Sequence, residues 1–363
     1  MVEPKRRILD VGLGKGPAAN PVLERELAKR GYVYETCGLG TEKAPVILAR
    51  ALRLRNKLSN YDFIMTSEYF ASFGVNLRLL LTFSKTKHVT IGLNQSRRLL
   101  RTGFRPVDKL IELVFQRTDL IVVHSRREAE LFNRIHGIPP NRFYFSLWGY
   151  DLPTTAATRF SAWPKRYVCL VGRNNRDIDT FIGAVAGTDI DGVVITSAFQ
   201  NAPAGPLPPN IHLFRDLPLD ETLDCIKNAA ANVVLLKDNE RGAGHITIVA
   251  AMFSGTPQIV SDVDVIKDYV VDGVSAIVVP LRDAQAVRRA IERLLNDRSC
   301  AERLSANGRQ YAQRWLTNER VMERTVLALD RLMRGEKIDT VDPEWLHAYK
   351  LFAENSLARV PPV

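Results

Sequence analysis

Two arginines and one glycine-rich loop are the residues of this sequence best suited to holding an anion. Arg173 and Arg176 stand in VGRNNRD, directly after the apolar run YVCLV. A guanidinium can bond two phosphate oxygens through one planar fork and stays charged at any working pH, so a pair at a strand-to-helix junction suits a pyrophosphate clamp. The alternative is a surface pair, one member matched to Asp177 or Asp179. Further on, LLKDNERGAGHITIVAAMFSGTP passes from a strand through a loop into an apolar helix. Gly242 and Gly244 expose backbone, and Gly244, His245, Ile246 and Thr247 fall at the helix start. Its free N–H groups and positive end can receive a phosphate or ribose without a metal ion.

The first half carries polar residues at strand ends. The loop GLGKGPAAN places Gly12, Gly14 and Gly16 after the first strand, where they permit a tight turn and close approach to a ligand. It departs from the dinucleotide fingerprint GxGxxG, because the third glycine comes one residue early and Pro17 follows. Glu68 follows YDFIMTS, at the rim where a general base would sit, although a first-turn charge behind a Ser67 cap reads equally well. Asn94 and Gln95 of GLNQS are placed to bond sugar hydroxyls or to face water. His124 ends LIVVH ahead of Ser125, and either meets a ligand or is satisfied by local backbone.

These residues need elements to position them. The first half reads as strands at 7–13, 32–36, 62–66, 88–91, 120–124 and 141–147, with helices at 21–30, 46–57, 77–83, 106–117 and 126–135. The second half reads as strands at 166–171, 192–196, 211–214, 233–236, 258–260 and 276–279. Its helices are expected at 178–185, 221–230, 246–253, 263–270, 284–296, 300–314 and 319–332. Near-continuous apolar strands alternating with helices predict parallel sheets covered on both faces, the α/β class. Ligands bind such sheets at the carboxyl ends of the strands. The Pro- and Thr-rich stretch 151–165 reads as a linker. The expected organisation is therefore a domain at 1–150, that linker, a domain at 166–318, and a terminal helix and tail at 319–363.

Composition narrows the function classes. No apolar run approaches the roughly 20 residues that cross a bilayer, and MVEPKRRILDVGLG lacks the apolar segment of a secretory signal, so the cytoplasm is the expected compartment. Cys37, Cys169, Cys225 and Cys300 are widely spaced and read as reduced packing residues, with no metal set. No GxSxG elbow exposes a serine, and no GxxxxGK[ST] loop marks an ATPase. Charge is uneven: residues 1–150 hold 25 Lys and Arg against 13 Asp and Glu, whereas the remainder holds 25 against 27. Within 78–109, eight basic residues accompany one acidic residue, Asp108. Such a field suits an anionic partner, and without a nucleic-acid motif the expectation is an anionic membrane surface rather than DNA or RNA.

Several runs together resemble the GT-B glycosyltransferases related to glycosyltransferase family 4. They are VGRNNRD, GAGHITIVAAMFSGTPQIVSD, DYVVDGVSAIVVPLRDAQAVRRAIERLLND, VHSRREAELF and WGYD. The resemblance implies a GT-B fold of two Rossmann-like domains facing across a cleft, a nucleotide held by the C-terminal one, an acceptor at the N-terminal one, and a last helix returning to brace the first. It places Arg173, Arg176, Gly244, His245, Ile246 and Thr247 at the donor, and Gly12, Gly14, Gly16, Asn94, Gln95 and His124 on the acceptor side. The family's paired glutamates are altered, since Gly242 and Ala250 occupy their places. Glu240 is the nearest carboxylate, and with Glu68 it is taken as catalytic. The implied activity is metal-independent transfer of a sugar from a nucleotide sugar to a hydroxyl of a glycan or lipid-linked acceptor, with retention favoured and inversion using Glu68 as base the alternative, since the first glutamate is absent. A UDP-linked donor is expected in preference to a GDP-linked one, and no further cofactor. A sugar-nucleotide epimerase or a noncatalytic scaffold of the same fold is the alternative.

Overall fold

The computed structural model describes residues 6–12, 20–40, 43–54, 57–93, 102–153, 156–198, 203, 205–238 and 242–357. The chain divides into two units, Met1–Leu147 with Asn318–Pro343, and Trp148–Thr317 with Glu344–Val363. Among the described residues no helix is long and apolar enough to cross a membrane.

The first unit is built on a parallel sheet of β1 (Arg6–Gly12), β2 (Tyr32–Gly38), β3 (Phe63–Thr66), β4 (Lys87–Ile91), β5 (Leu120–Val123) and β6 (Phe143–Phe145), in the order β2-β1-β3-β4-β5-β6. Its helices are α1 (Pro21–Ala28), α2 (Ala44–Leu52), α3 (Tyr69–Leu81), α4 (Arg105–Phe115), α5 (Arg126–His136) and α11 (Asn318–Arg334). Local chemistry starts several of them. Asn20 Oδ1 accepts from the amides of Val22 and Leu23 at 3.1 and 3.2 Å, and Pro21 costs the first turn of α1 nothing. Ser125 and Glu128 form a reciprocal capping box on α5, which Gly137 ends at φ +62°. Gly74 lets α3 approach α2 closely, because a Cβ there would stand 2.6 Å from Ala51 Cβ. Val326 and Leu329 of α11 join the apolar core over β1, β3 and β4, and Glu319 pairs with Arg25 at 2.9 Å.

The second unit repeats the design with β7 (Tyr167–Val171), β8 (Asp191–Thr196), β9 (Ile211–Arg215), β10 (Ala231–Val234), β11 (Gln258–Ser261) and β12 (Ile277–Val279), all parallel, in the order β12-β11-β10-β7-β8-β9. Its helices are α6 (Ile178–Val185), α7 (Leu219–Asn228), α8 (His245–Ser254), α9 (Ala284–Asn296) and α10 (Arg298–Trp315), followed by α12 (Pro343–Leu357). Each sheet face carries a buried apolar layer. Cys169, Cys225 and Cys300 are buried and, with half-buried Cys37, free of disulfides.

Four segments differ from the sequence expectation. The helix expected at 77–83 begins at Tyr69, because YFASFGVNLRLLL is apolar on nearly every side and shows no clear period. The helix expected at 263–270 is a single tight turn, Asp264–Ile266, and Tyr269 beyond it turns its ring onto His245. α12 was not foreseen. Part of the stretch expected as a linker is packed: Phe160 is fully buried against Trp163 and Tyr167, and Thr158 bonds Asp224 Oδ2 through its amide and its hydroxyl at 3.0 and 2.7 Å.

Candidate functional site

In a parallel sheet, strand order decides where a ligand fits. In the second unit the chain leaves β7 toward β8 and β9, then crosses back to β10 on the other side. The loops after β7 and β10 therefore diverge and leave a crevice at the carboxyl ends of these two strands. The loop after β7 is Gly172–Asp177, and the loop after β10 leads to Gly244 and α8. The two runs singled out by sequence thus meet at one point.

Within that crevice the arginines take different positions. Arg173 is exposed, and its carbonyl is fixed by Ser197 Oγ at 2.7 Å. Arg176 is buried at 4% exposure. Its Nε donates to Val171 O at 2.8 Å, Nη1 to Asn174 O at 3.2 Å and Nη2 to Thr247 Oγ1 at 3.3 Å. The guanidinium occupies the space over Gly172, where a Cβ would lie 2.2 Å from Nη2. Arg176 thereby ties the β7 loop to the start of α8, while Arg173 faces solvent.

The α8 start is equally fixed. Gly244 caps it at φ +89°, a left-handed conformation that favours glycine, and Val234 leaves its Cβ position only 3.0 Å of room. Thr247 Oγ1 donates to Gly244 O at 2.9 Å while accepting from Arg176. His245 is buried, stacked on Tyr269 with centroids 4.5 Å apart, and its Nε2 lies 2.9 Å from Val265 O. A carbonyl only accepts, so Nε2 carries the proton. Ile246 is exposed. Ala250 is fully buried, and Glu240 lies outside the described residues. Sequence reasoning missed Asn175, which turns the loop at φ +54° and reaches Asp238 at 3.4 Å, and Thr196, whose buried Oγ1 has no hydrogen-bond partner among the described residues. Asn in a left-handed turn was the signal available for the first.

In the first unit the corresponding crossover lies between β1 and β3. Gly12 ends β1, its carbonyl accepting from the Leu39 amide at 2.8 Å, and Glu68 stands at the N-cap of α3 two residues beyond β3. Glu68, not Ser67, is the cap residue, and its carbonyl holds Ser72 Oγ at 2.6 Å. These two residues flank the crossover. His124 follows β5, farther along the sheet; its Nδ1 lies 2.9 Å from Ser146 O, and burial pushes its pKa down. Gly14, Gly16, Asn94 and Gln95 lie outside the described residues. Asp10, on β1, was not singled out. Tyr34 Oη donates to its Oδ2 at 2.5 Å, and burial raises the carboxyl pKa to about 6 against that hydrogen bond. Among the described residues no cluster of three or more His, Cys, Asp or Glu side chains could hold a metal ion.

The chain is similar over 91% of its length to the whole of sucrose-phosphate synthase from Thermosynechococcus elongatus, with a TM-score of 0.70 at 17% identity. The chain has the GT-B fold. HepE of Anabaena in complex with UDP-glucose shares that fold at a TM-score of 0.68 and 13% identity, covering 89% of this chain and 99% of its own. A glycosyltransferase of Rickettsia africae shares it at a TM-score of 0.64 and 11% identity, covering 91% and 99%. Residues 199–311 match the family model described as Glycosyl transferases group 1, a span containing the β10–α8 loop and its helix. No curated protein matches the sequence. Fold and matched segment are those of glycosyltransferases, and the GT-B sheet order accounts for the crevice between β7 and β10.

Proposed function

We propose that this protein transfers a sugar from a UDP-linked donor to a hydroxyl of a glycan or lipid-linked acceptor, with retention and without a metal ion. The observation that carries the reading is the crevice between β7 and β10, where the loop that holds the exposed Arg173 is bonded through Arg176 to the first turn of α8. The HepE structures that hold UDP and UDP-glucose support the choice of nucleotide. In the reaction the anomeric carbon–oxygen bond to the diphosphate breaks and UDP leaves with the electron pair. The acceptor oxygen bonds the same carbon on the same face, and its proton passes to the departing diphosphate oxygen. Charge grows on the leaving phosphate as the bond stretches, so Arg173 and the amides of Gly244 to Thr247 stabilise the transition state more than the bound donor. Arg176 and Thr247 act as positioning residues, because each is bonded within the protein.

The acceptor reading extends to a membrane surface. Phe104, Leu110 and Leu113 of α4 and its cap are exposed, as are Leu81 and Phe83 at the end of α3, while Arg105, Lys109 and Lys85 stand among them. Exposed apolar groups interleaved with cations suit reversible attachment to an anionic leaflet on the cytoplasmic side. The test of the enzymatic reading is a nucleotide-sugar panel. A UDP-sugar should raise the melting temperature and be consumed when an acceptor is added. Arg173→Ala should lower both donor affinity and turnover about tenfold with the fold intact, the scale of one charge-assisted hydrogen bond. Unchanged affinity and turnover in that variant would remove Arg173 from the site.

A further inference from the structure

A cavity of about 570 Å³ opens at the amino ends of β7, β10 and β11, the opposite end of the sheet from Arg173 and Gly244. Arg166, immediately before β7, lines it together with Arg298 and Arg309 of α10, Glu302, and an apolar floor that includes Leu294 and Pro257. The three guanidiniums are weakly engaged. The Arg166 side chain has no hydrogen bond or ion pair among the described residues, its carbonyl alone accepting from the Asp191 amide at 3.1 Å. Arg298 pairs with Glu302 at 2.7 Å, but their side chains are 91% and 63% exposed, so solvent screens the pair. Arg309 gives one bond, 2.9 Å to Ser254 O at the end of α8, and lies over Gly255 where a Cβ would clash. That bond also offsets the negative end of α8, which would otherwise repel an anion.

We infer that this cavity is a second ligand site, taking a phosphorylated organic molecule with a compact apolar body. Three guanidiniums against one carboxylate select an anionic head, and their forks match phosphate oxygens. The volume excludes inorganic phosphate as the best fit: pockets of about 300–1,000 Å³ hold ligands of ordinary organic size, and a bare phosphate would leave the apolar floor to water. Leu294, nearly fully buried, and Pro257 receive the apolar body instead. The site is distinct from the proposed donor crevice. α8 separates the two, its first residues at the crevice and Gly255 at the cavity, about 15 Å apart for a ten-residue helix.

The experiment is an isothermal titration of the full chain with phenyl phosphate, first alone and then with UDP at saturation. One molecule should bind in both titrations. Inorganic phosphate should bind at least tenfold more weakly, and the double variant Arg166→Gln, Arg309→Gln should weaken phenyl phosphate at least tenfold while leaving UDP binding unchanged. Because the Arg166 side chain holds no bond among the described residues, Arg166→Gln alone should lose at least threefold and decides the matter if the double variant does not fold. The inference is overturned if phenyl phosphate does not bind, if UDP displaces it, if inorganic phosphate binds equally well, or if Arg166→Gln has no effect. A failure of UDP itself to bind would count against the donor reading alone, since the first titration contains no UDP.

Discussion

Gly172 and Arg176 should behave as one unit, and a double-mutant cycle measures it. Arg176 is buried; among the described residues its guanidinium bonds Val171 O and Asn174 O within the β7 loop at 2.8 and 3.2 Å and joins that loop to α8 through Thr247 Oγ1 at 3.3 Å. Arg176→Met removes a buried charged donor and strands its acceptors, which should cost about 3–5 kcal/mol. In Gly172→Ala the new Cβ would stand 2.2 Å from Nη2 and 2.3 Å from Cζ and Nε, so the guanidinium must leave. The same bonds are then lost, with a further cost of about 1–3 kcal/mol because φ is +153°. In the Arg176→Met background only the backbone strain remains. Gly172→Ala should therefore cost about 5 kcal/mol in the wild type and about 2 kcal/mol in the variant, a coupling of about 3 kcal/mol. Urea unfolding followed by tryptophan fluorescence reads this directly, since Trp148, Trp163, Trp315 and Trp345 all belong to the second unit. Equal costs in the two backgrounds would show that the guanidinium does not occupy the space over Gly172.

Three further outcomes are expected. The Asp10 carboxyl has its pKa raised to about 6, so the folded state keeps a proton that the unfolded state has released; stability should fall by about 3 kcal/mol as pH rises from about 4 to 6 and level off above. Asp10→Asn should abolish that slope and slow amide exchange in β1 at pH 8, and a slope that persists would assign the titration elsewhere. Gly74→Ala should destabilise the first unit by about 1–3 kcal/mol through contact with Ala51 Cβ, and Ala51→Gly should relieve it; thermal unfolding of both variants that shows no rescue would place the strain elsewhere. The protein should sediment with anionic but not neutral vesicles at 0.1 M salt and be released at about 1 M, where the Debye length is about 3 Å, and Leu110→Gln with Leu113→Gln should reduce binding several-fold. Equal sedimentation with neutral vesicles would remove the charge argument.

The sequence alone determined whatever depends on neighbours along the chain. Asn20 with Pro21, Ser125 with Glu128, and the passage from Gly244 into HITIVAAMF each announce a helix start through groups a few residues apart. The strands were legible for a related reason: burial on both faces leaves runs such as LIVV and YVCLV with no polar residue to confuse them. Tertiary structure decided what depends on strand order and burial. Nothing local says that β10 returns beside β7 rather than beyond β9, yet that choice creates the crevice. Arg173 and Arg176 look alike in VGRNNRD, and only the glycine-made gap over residue 172, with Thr247 arriving from another strand's loop, draws one guanidinium inside and leaves the other in solvent. Asp10 reads as one polar residue in a strand until the surrounding core raises its pKa against the hydrogen bond from Tyr34 of β2, because desolvation is a sum over neighbours that the sequence does not place.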